Sequence, residues 1–231
     1  MNGKALQKIG YGVYVISSKL ENRMNGQIAN TAFQVTSAPE TIAISINKQN
    51  YTHELIQRSK VFSVSILSKT APMTLIGHFG FKSGRDEDKF SGISFKTGVT
   101  GSPYLLEHTV SYIEAEVIQE MDCGTHTIFL GKAISGDVLS DVEPMTYAYY
   151  HEIKGGKSPA TAPTYQNDDT STPLRQSLHY TCSICGYVYD PQKGDPDNGV
   201  TAGTNFTDIS NSWFCPICHA SKEKFVESQD M

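Results

Sequence analysis

Residues 180–191 read YTCSICGYVYDP, and residues 213–218 read WFCPIC. Each stretch contains a C-x-x-C pair, and 29 residues separate the two pairs. Four thiolates form a soft ligand set that binds zinc or iron tetrahedrally. By ligand count alone, a structural zinc ribbon is the default interpretation and an iron centre is the alternative. The predicted metal ligands are Cys182, Cys185, Cys215 and Cys218.

The residues between and after the pairs narrow this choice. They read GYVYDPQKGDPDNGVTAGTNFTDISNSWF, followed by CPICHASKEKF. Over residues 179–226 the chain resembles rubredoxin, with its C-x-x-C-G-Y-x-Y-D-P opening, G-D-P-D-x-G-V loop, Trp before the second pair and C-P-x-C ending. The resemblance implies a small, all-β or irregular rubredoxin domain over residues 179–231 that holds one iron.

Two positions depart from the rubredoxin pattern, and neither is a ligand. His219 stands where the family usually has Gly, and Ser210 stands where it usually has Pro. If the backbone at His219 needs a positive φ, histidine carries a modest strain that glycine would not.

A domain of about 50 residues needs a metal and large side chains to remain folded. This module is rich in aromatic residues, and we expect them to form its core. The predicted core residues are Tyr187, Tyr189, Phe206, Trp213 and Phe225.

The preceding part of the chain carries the pattern of β-strands, rich in Val, Ile, Phe and Thr with partial alternation. Short helices are predicted after Thr52 as an N-cap, over about 71–79, and over about 85–90. Many short strands with few helices favour a closed antiparallel barrel, because closure removes exposed edges. The fold class is therefore mainly β. The predicted strands are 12–18, 27–37, 41–47, 61–67, 93–99, 110–121 and 125–138.

Charge is distributed unevenly along the chain. Residues 1–165 carry fifteen Lys+Arg and fifteen Asp+Glu, whereas residues 166–231 carry four and nine, so the formal net charge of −5 lies in the second part. This argues against a nucleic-acid partner and suits docking onto a basic protein surface. No apolar run is long enough to cross a bilayer, and the N-terminus lacks the features of a signal peptide. We expect a cytoplasmic protein.

Polar residues in the first domain can serve a flavin; the alternative is that they are ordinary strand ends and turns. The domain has no G-x-G-x-x-G and no Walker sequence. One polar strand can offer backbone and amide groups to the edge of a flavin ring, namely Asn30, Thr31, Ala32, Phe33 and Gln34. A strand end and helix start can neutralise a phosphate, through Asn47, Lys48, Asn50, Tyr51 and Thr52.

Residues 1–165 resemble the FMN-binding split-barrel flavin reductases, in particular the flavoredoxin group. The matching stretches are NGQIANTAFQV, INKQNYTH, SGRDEDKF, GTHTIFLG and GGKSPATAPTY. Family members bind FMN at a homodimer interface. The resemblance implies that Gly84, Arg85 and Lys89 line the pocket from the other side. It also implies that His126 lies near the flavin and positions the nicotinamide of NAD(P)H; the alternative is a structural histidine.

The composition between the two domains changes to Gly, Pro, Ser, Thr and Asp, which predicts a flexible linker at residues 166–178. The whole chain is similar to high-molecular-weight rubredoxins, which join these two modules. That resemblance implies a hydride transfer from NAD(P)H to FMN, single electrons to the iron, and a flavodiiron oxygen or nitric oxide reductase as acceptor. No motif distinguishes NADH from NADPH. The alternatives are a flavin or ferric reductase with a regulatory rubredoxin, and a non-catalytic zinc-ribbon interaction module.

Overall fold

The computed structural model describes residues 3–152 and 179–228. The first region contains a seven-stranded antiparallel sheet in the order β2-β1-β5-β8-β9-β4-β3, and β6 and β7 form a separate small hairpin. The strands are β1 (Tyr14–Leu20), β2 (Arg23–Ala29), β3 (Ala32–Ser37), β4 (Glu40–Asn47), β5 (Val61–Leu67), β6 (Phe95–Thr97), β7 (Pro103–Leu105), β8 (Thr109–Asp122) and β9 (His126–Val138).

The two end strands of the sheet are consecutive in the chain, so they lie next to each other where the chain passes from one to the other. Only Asn30 and Thr31 separate β2, which pairs with β1, from β3, which pairs with β4. The single strand predicted over 27–37 therefore divides at these two residues, where the chain leaves one neighbour for another. The prediction of a mainly β, antiparallel barrel is confirmed.

Three helices accompany the sheet: α1 (Tyr51–Ser59), α2 (Met73–Phe81) and α3 (Tyr147–Glu152). The N-cap of α1 is Asn50, so the prediction of Thr52 was wrong. The Thr52 side chain instead accepts a hydrogen bond from Asn25 Nδ2 at 2.8 Å inside the domain. None of the helices in the described residues is both long and apolar enough to span a bilayer.

The helix predicted over 85–90 was also wrong, because this segment consists of turns. The Ser83 hydroxyl accepts from the Arg85 N–H at 3.2 Å, and the Asp88 carboxylate accepts from the Phe90 N–H at 3.0 Å. Such local side-chain acceptors compete with helical hydrogen bonds. The segment buries Lys89 and Phe90 beneath α2 as a result.

The barrel interior is filled by aliphatic and aromatic side chains from opposite strands. Ile16, Ile44 and Phe62 are fully buried together with Ile56 from α1 and Phe129 from β9. Full burial of one such side chain contributes about 1.5–3 kcal/mol, so the barrel has a core that is independent of any cofactor.

The second described region is a small module with a three-stranded sheet in the order β11-β10-β12. Its strands are β10 (His179–Cys182), β11 (Val188–Tyr189) and β12 (Phe225–Ser228). Four of the predicted aromatic residues are buried in one cluster and Tyr187 packs against it, which confirms the predicted core. The predicted linker, 166–178, and the GGKSPATAPTY stretch lie outside the described residues.

Candidate metal centre and flavin cavity

The four predicted cysteines converge in the C-terminal module. All four are buried, and their sulfurs lie within 4.8 Å of one another. The Cys182 and Cys218 sulfurs are 3.7 Å apart, and those of Cys185 and Cys215 are 3.5 Å apart. A tetrahedron with metal–sulfur bonds of about 2.3 Å has edges of about 3.8 Å. The four residues therefore fit one tetrahedral metal ion.

The two C-x-x-C loops are built alike. In the first, the Gly186 N–H donates to the Cys182 carbonyl at 2.8 Å, and in the second the His219 N–H donates to the Cys215 carbonyl at 2.9 Å. Gly186 has φ 73° and His219 has φ 57°. The strain predicted for His219 is thus present, because its backbone is left-handed.

The charge distribution in the centre favours a cation. Hydrogen bonds from the Cys185 and Cys215 thiols hold the pKa of Cys218 well below its usual range, and the Ala220 N–H adds to this effect. Thiol–thiol hydrogen bonds with Cys215 and Cys218, together with burial, raise the pKa of Cys185. The four buried cysteines together stabilise one thiolate but disfavour further ones. A bound metal ion is therefore needed to hold all four sulfurs deprotonated.

The barrel domain carries a cavity of about 250 Å³. Five parts of the chain meet there: β2, the turn from β4 into α1, the end of α2, the loop that follows α2, and α3. The lining includes Asn25, Gln27, Asn30, Asn47, Gln49, Asn50, Tyr51, Thr52, Phe79, Phe81, Lys82, Ser83, Gly84, Arg85, Lys89, Tyr147 and Tyr150.

One end of the cavity is suited to an anion. The first turn of α1 offers backbone N–H groups at Tyr51 and Thr52, and the positive end of the helix dipole adds to them. Arg85, in the loop after α2, lies beside this turn, with its guanidinium 4.8 Å from the Tyr51 ring centroid and 3.0 Å from a Glu54 carboxylate oxygen. A phosphate fits between a helix N-terminus and an arginine.

The inner part of the cavity contains two hydrogen-bond acceptors that have no donor among the described residues. Asn25 Oδ1 and Gln27 Oε1 are buried without a hydrogen-bond partner among the described residues. Leaving a buried acceptor unpaired costs about 1–3 kcal/mol. An aromatic ring system with N–H groups at its edge, such as a flavin, fits this environment.

Lys89 lines the cavity and is 3% exposed. Its ammonium donates to the Gly26 carbonyl at 3.2 Å and to the Phe79 carbonyl at 3.0 Å, which ties β2 to α2. Burial lowers the pKa of Lys89 to about 8. The Lys89 ammonium therefore loses its proton as the pH rises through about 8 rather than near 10.5.

Eight of the predicted flavin-site residues line the cavity: Asn30, Asn47, Asn50, Tyr51, Thr52, Gly84, Arg85 and Lys89. The cavity lining does not include the remaining ones, Thr31, Ala32, Phe33, Gln34, Lys48 and His126. Phe33 and Gln34 are both exposed on β3, and Lys48 forms an ion pair with Asp122 at 2.7 Å.

His126 pairs in register with Asn47, which lines the cavity. Its Nδ1 is 2.9 Å from the Thr125 hydroxyl, and its Nε2 is buried without a partner in the described chain. The predicted role for His126 therefore remains a prediction.

Sequence reasoning missed several lining residues. Asn25 and Gln27 alternate on β2 within a stretch already known to be polar, so the period of two could have found them. Nothing local marks Phe81, Tyr147 or Tyr150, since the closure of the fold brings α2 and α3 to the cavity.

A closed antiparallel barrel with such a cavity, joined to a four-thiolate centre, defines an electron-transfer flavoprotein with two redox sites. Two family models match the chain: the flavin reductase like domain over residues 6–155 and rubredoxin over residues 179–225.

One relative matches this two-module organisation over its full length, and others match only part of the chain. The high molecular weight rubredoxin of Moorella thermoacetica is 52% identical over 231 residues, covering 98% of this chain and all of that protein. The ferric-chelate reductase (NAD(P)H) of Archaeoglobus fulgidus is 48% identical over 165 residues, which is 71% of this chain and 98% of the relative. The NADH:FAD oxidoreductase SgcE6 of Streptomyces globisporus C-1027 shares the fold, with a TM-score of 0.57 at 23% identity over 62% of this chain and 83% of that one.

The chain belongs to the high-molecular-weight rubredoxin family, in which a flavin reductase-like domain precedes a rubredoxin.

Proposed function

We propose that the chain takes a hydride from NAD(P)H onto FMN in the barrel cavity, passes single electrons to an iron on the four cysteines, and delivers them to a protein acceptor. The observation that carries the proposal is that one chain has both a phosphate- and ring-suited cavity and four sulfurs at tetrahedral spacing. A bound flavin supplies the exchange between two-electron and one-electron chemistry, and iron supplies a one-electron change of valence.

The chain's own residues bind and orient these groups. The α1 N-terminus and Arg85 would hold the FMN phosphate, and Asn25 and Gln27 would accept hydrogen bonds from the ring edge. Cys182, Cys185, Cys215 and Cys218 would hold the iron. No side chain needs to act as a nucleophile, so position, exposure and local field are what the protein contributes.

His126 is assigned to the nicotinamide side of the flavin. Its unpartnered Nε2 beside Asn47 supports this assignment. His126→Gln should raise the KM for NAD(P)H several-fold while flavin content stays at one equivalent. Unchanged KM and kcat would reduce His126 to a structural residue.

A homodimer through the barrel domain is also proposed. Large apolar side chains stand exposed on the sheet, including Phe33 at 56%, Ile118 at 57% and Met121 at 52%. Exposed apolar patches commonly mark protein interfaces. Met121→Asp should shift the protein toward monomer in analytical ultracentrifugation, and a monomer in the unsubstituted protein would contradict the proposal.

The acceptor is proposed to be a flavodiiron-type oxygen or nitric oxide reductase, in the cytoplasm, where reducing conditions suit metal-bound thiolates. The surplus of acidic residues in residues 166–231 supports docking onto a basic protein surface.

A second candidate function is supported by the ferric-chelate reductase relative, which covers only the barrel domain. In that case free flavin or chelated iron is the acceptor and the rubredoxin is regulatory. Steady-state assays of Cys182→Ser separate the two. Under our proposal, electron delivery to a protein acceptor is lost while free-flavin reduction survives; if both activities survive unchanged, the second candidate holds.

A further inference from the structure

The two C-x-x-C loops present the same apolar residue to very different surroundings. The first loop is Cys182-Ser-Ile184-Cys185, and its Ile184 is 52% exposed. The second is Cys215-Pro-Ile217-Cys218, and its Ile217 is 8% exposed. Because the loops have the same backbone hydrogen bonds, the difference comes from what covers the second one.

Helix α2 of the barrel domain covers the second loop. Met73 and Phe81, near the two ends of α2, pack against the core of the rubredoxin module. Between them, Gly77 is in close contact with the backbone of Ile217, and a methyl group added to Gly77 would overlap the Ile217 carbonyl. A glycine in the middle of a helix costs about 1 kcal/mol relative to alanine, so its placement at this contact is consistent with a need for close approach.

The same helix lines the flavin cavity on its other side. Phe81 lines the cavity and also packs against the rubredoxin core. Lys82 lines both this cavity and a second groove of about 320 Å³, to which Cys218 and His219 contribute. A single helix, about 10–12 Å across with its side chains, therefore separates the cavity from a sulfur ligand.

We infer that α2 is the docking surface for the second C-x-x-C loop and that electrons enter the iron through this contact, with Phe81 as the residue that positions the two centres. This inference rests on the proposed function. One NAD(P)H delivers two electrons, which reduce two ferric ions in succession to ferrous ions and leave NAD(P)⁺ and one proton. The first loop, with Ile184 open, is left free for the external protein acceptor.

Gly77→Ala tests the docking without changing the rubredoxin module or the cavity lining. The added methyl favours the helix but pushes Ile217 away. These structural measurements use protein loaded with zinc, which is redox-inactive. For Gly77→Ala we expect the radius of gyration from small-angle scattering to rise and amide exchange at residues 215–220 to accelerate. Gly80→Ala is the matched control for these two measurements, because its methyl would meet Ile28 of the barrel at an ordinary 3.5 Å.

Stopped-flow reduction of the iron-loaded protein by NADH then measures the rates of flavin reduction and iron reduction, which show whether electrons pass through this contact. In Gly77→Ala, flavin bleaching should keep its rate and iron reduction should slow at least tenfold. Iron reduction at the original rate in an undocked variant, or an unchanged scattering curve, would overturn the inference. Absence of flavin bleaching in the unsubstituted protein would instead overturn the proposed function.

A matched pair of substitutions tests the division between the loops. Ile217→Gln should slow internal iron reduction, whereas Ile184→Gln should leave it unchanged and slow electron delivery to cytochrome c, a basic one-electron acceptor. Equal effects of both substitutions on both steps would refute separate entry and exit faces.

Discussion

The metal centre and the flavin cavity are assembled in opposite ways. Two short loops of the same pattern supply all four sulfurs, and each loop sets its own geometry through a backbone hydrogen bond. The cavity is lined by five separate parts of the chain between Asn25 and Tyr150. The metal site thus defines its module, while the cavity is a consequence of a barrel that folds around its own core. Substitutions at the metal site should therefore unfold the module, whereas substitutions in the cavity should weaken ligand binding.

The largest effect is expected for Cys215→Ser. Metal binding to structural four-ligand sites contributes roughly 10–16 kcal/mol, so the module should unfold while the barrel remains folded. Trp213 is the sole tryptophan of the chain and lies in the module's core, so its fluorescence reports this directly. Metal content should fall to zero with flavin content retained. A native Trp213 fluorescence spectrum in Cys215→Ser would contradict the view that the metal site keeps the module folded.

Lys89 gives the barrel a predicted pH dependence. Its folded pKa of about 8 lies below the ordinary value of 10.5, so below pH 8 both states bind the proton and the folded state bears the burial cost. Between pH 8 and 10.5 only the unfolded state binds it, and the unfolding free energy rises with pH by up to about 3 kcal/mol.

Lys89→Met removes this contribution. Urea unfolding of both proteins at pH 7 and pH 10 should show the unsubstituted protein gaining stability relative to the variant as pH rises. If the difference in unfolding free energy between the two proteins is the same at both pH values, burial does not lower the pKa of Lys89.

Arg85→Ala should weaken FMN binding about 10- to 100-fold, since a charged hydrogen bond contributes about 1.5–3 kcal/mol. The apo-barrel should keep its stability, because Arg85 is exposed. Arg58→Ala is the matched control: Arg58 is also exposed and pairs with the same Glu54, at 3.8 Å, but does not line the cavity. Equal losses of affinity in both variants would remove Arg85 from the phosphate site.

The smallest effect is expected at His219. His219→Gly relieves a left-handed backbone but adds unfolded-state entropy, for a net gain of about 0–1 kcal/mol. Gly186→Ala at the matching position of the first loop should cost about 1–2 kcal/mol. Thermal unfolding of the metal-loaded module, followed by Trp213 fluorescence, checks both. A gain from Gly186→Ala would contradict the equivalence of the loops.

The difference between the metal centre and the flavin cavity also explains which features could be predicted from the sequence. The ligands, the aromatic core and the strain at His219 follow from short patterns, because neighbouring residues determine them. The cavity was predicted only where a motif held its residues together, as at Asn50 and Tyr51. Phe81 and Tyr150 could not be found, since the packing of α2 and α3 on the sheet places them. The turns at 85–90 were mistaken for a helix because side-chain acceptors compete with the backbone.

An anaerobic titration with NADH tests the electron route most directly. One flavin and one iron per chain hold three electrons, so both absorption bands should be bleached by about 1.5 equivalents of NADH per chain. Bleaching of the flavin band at about one equivalent, with the iron remaining ferric or replaced by a redox-silent metal, would contradict a relay from the cavity to the four cysteines.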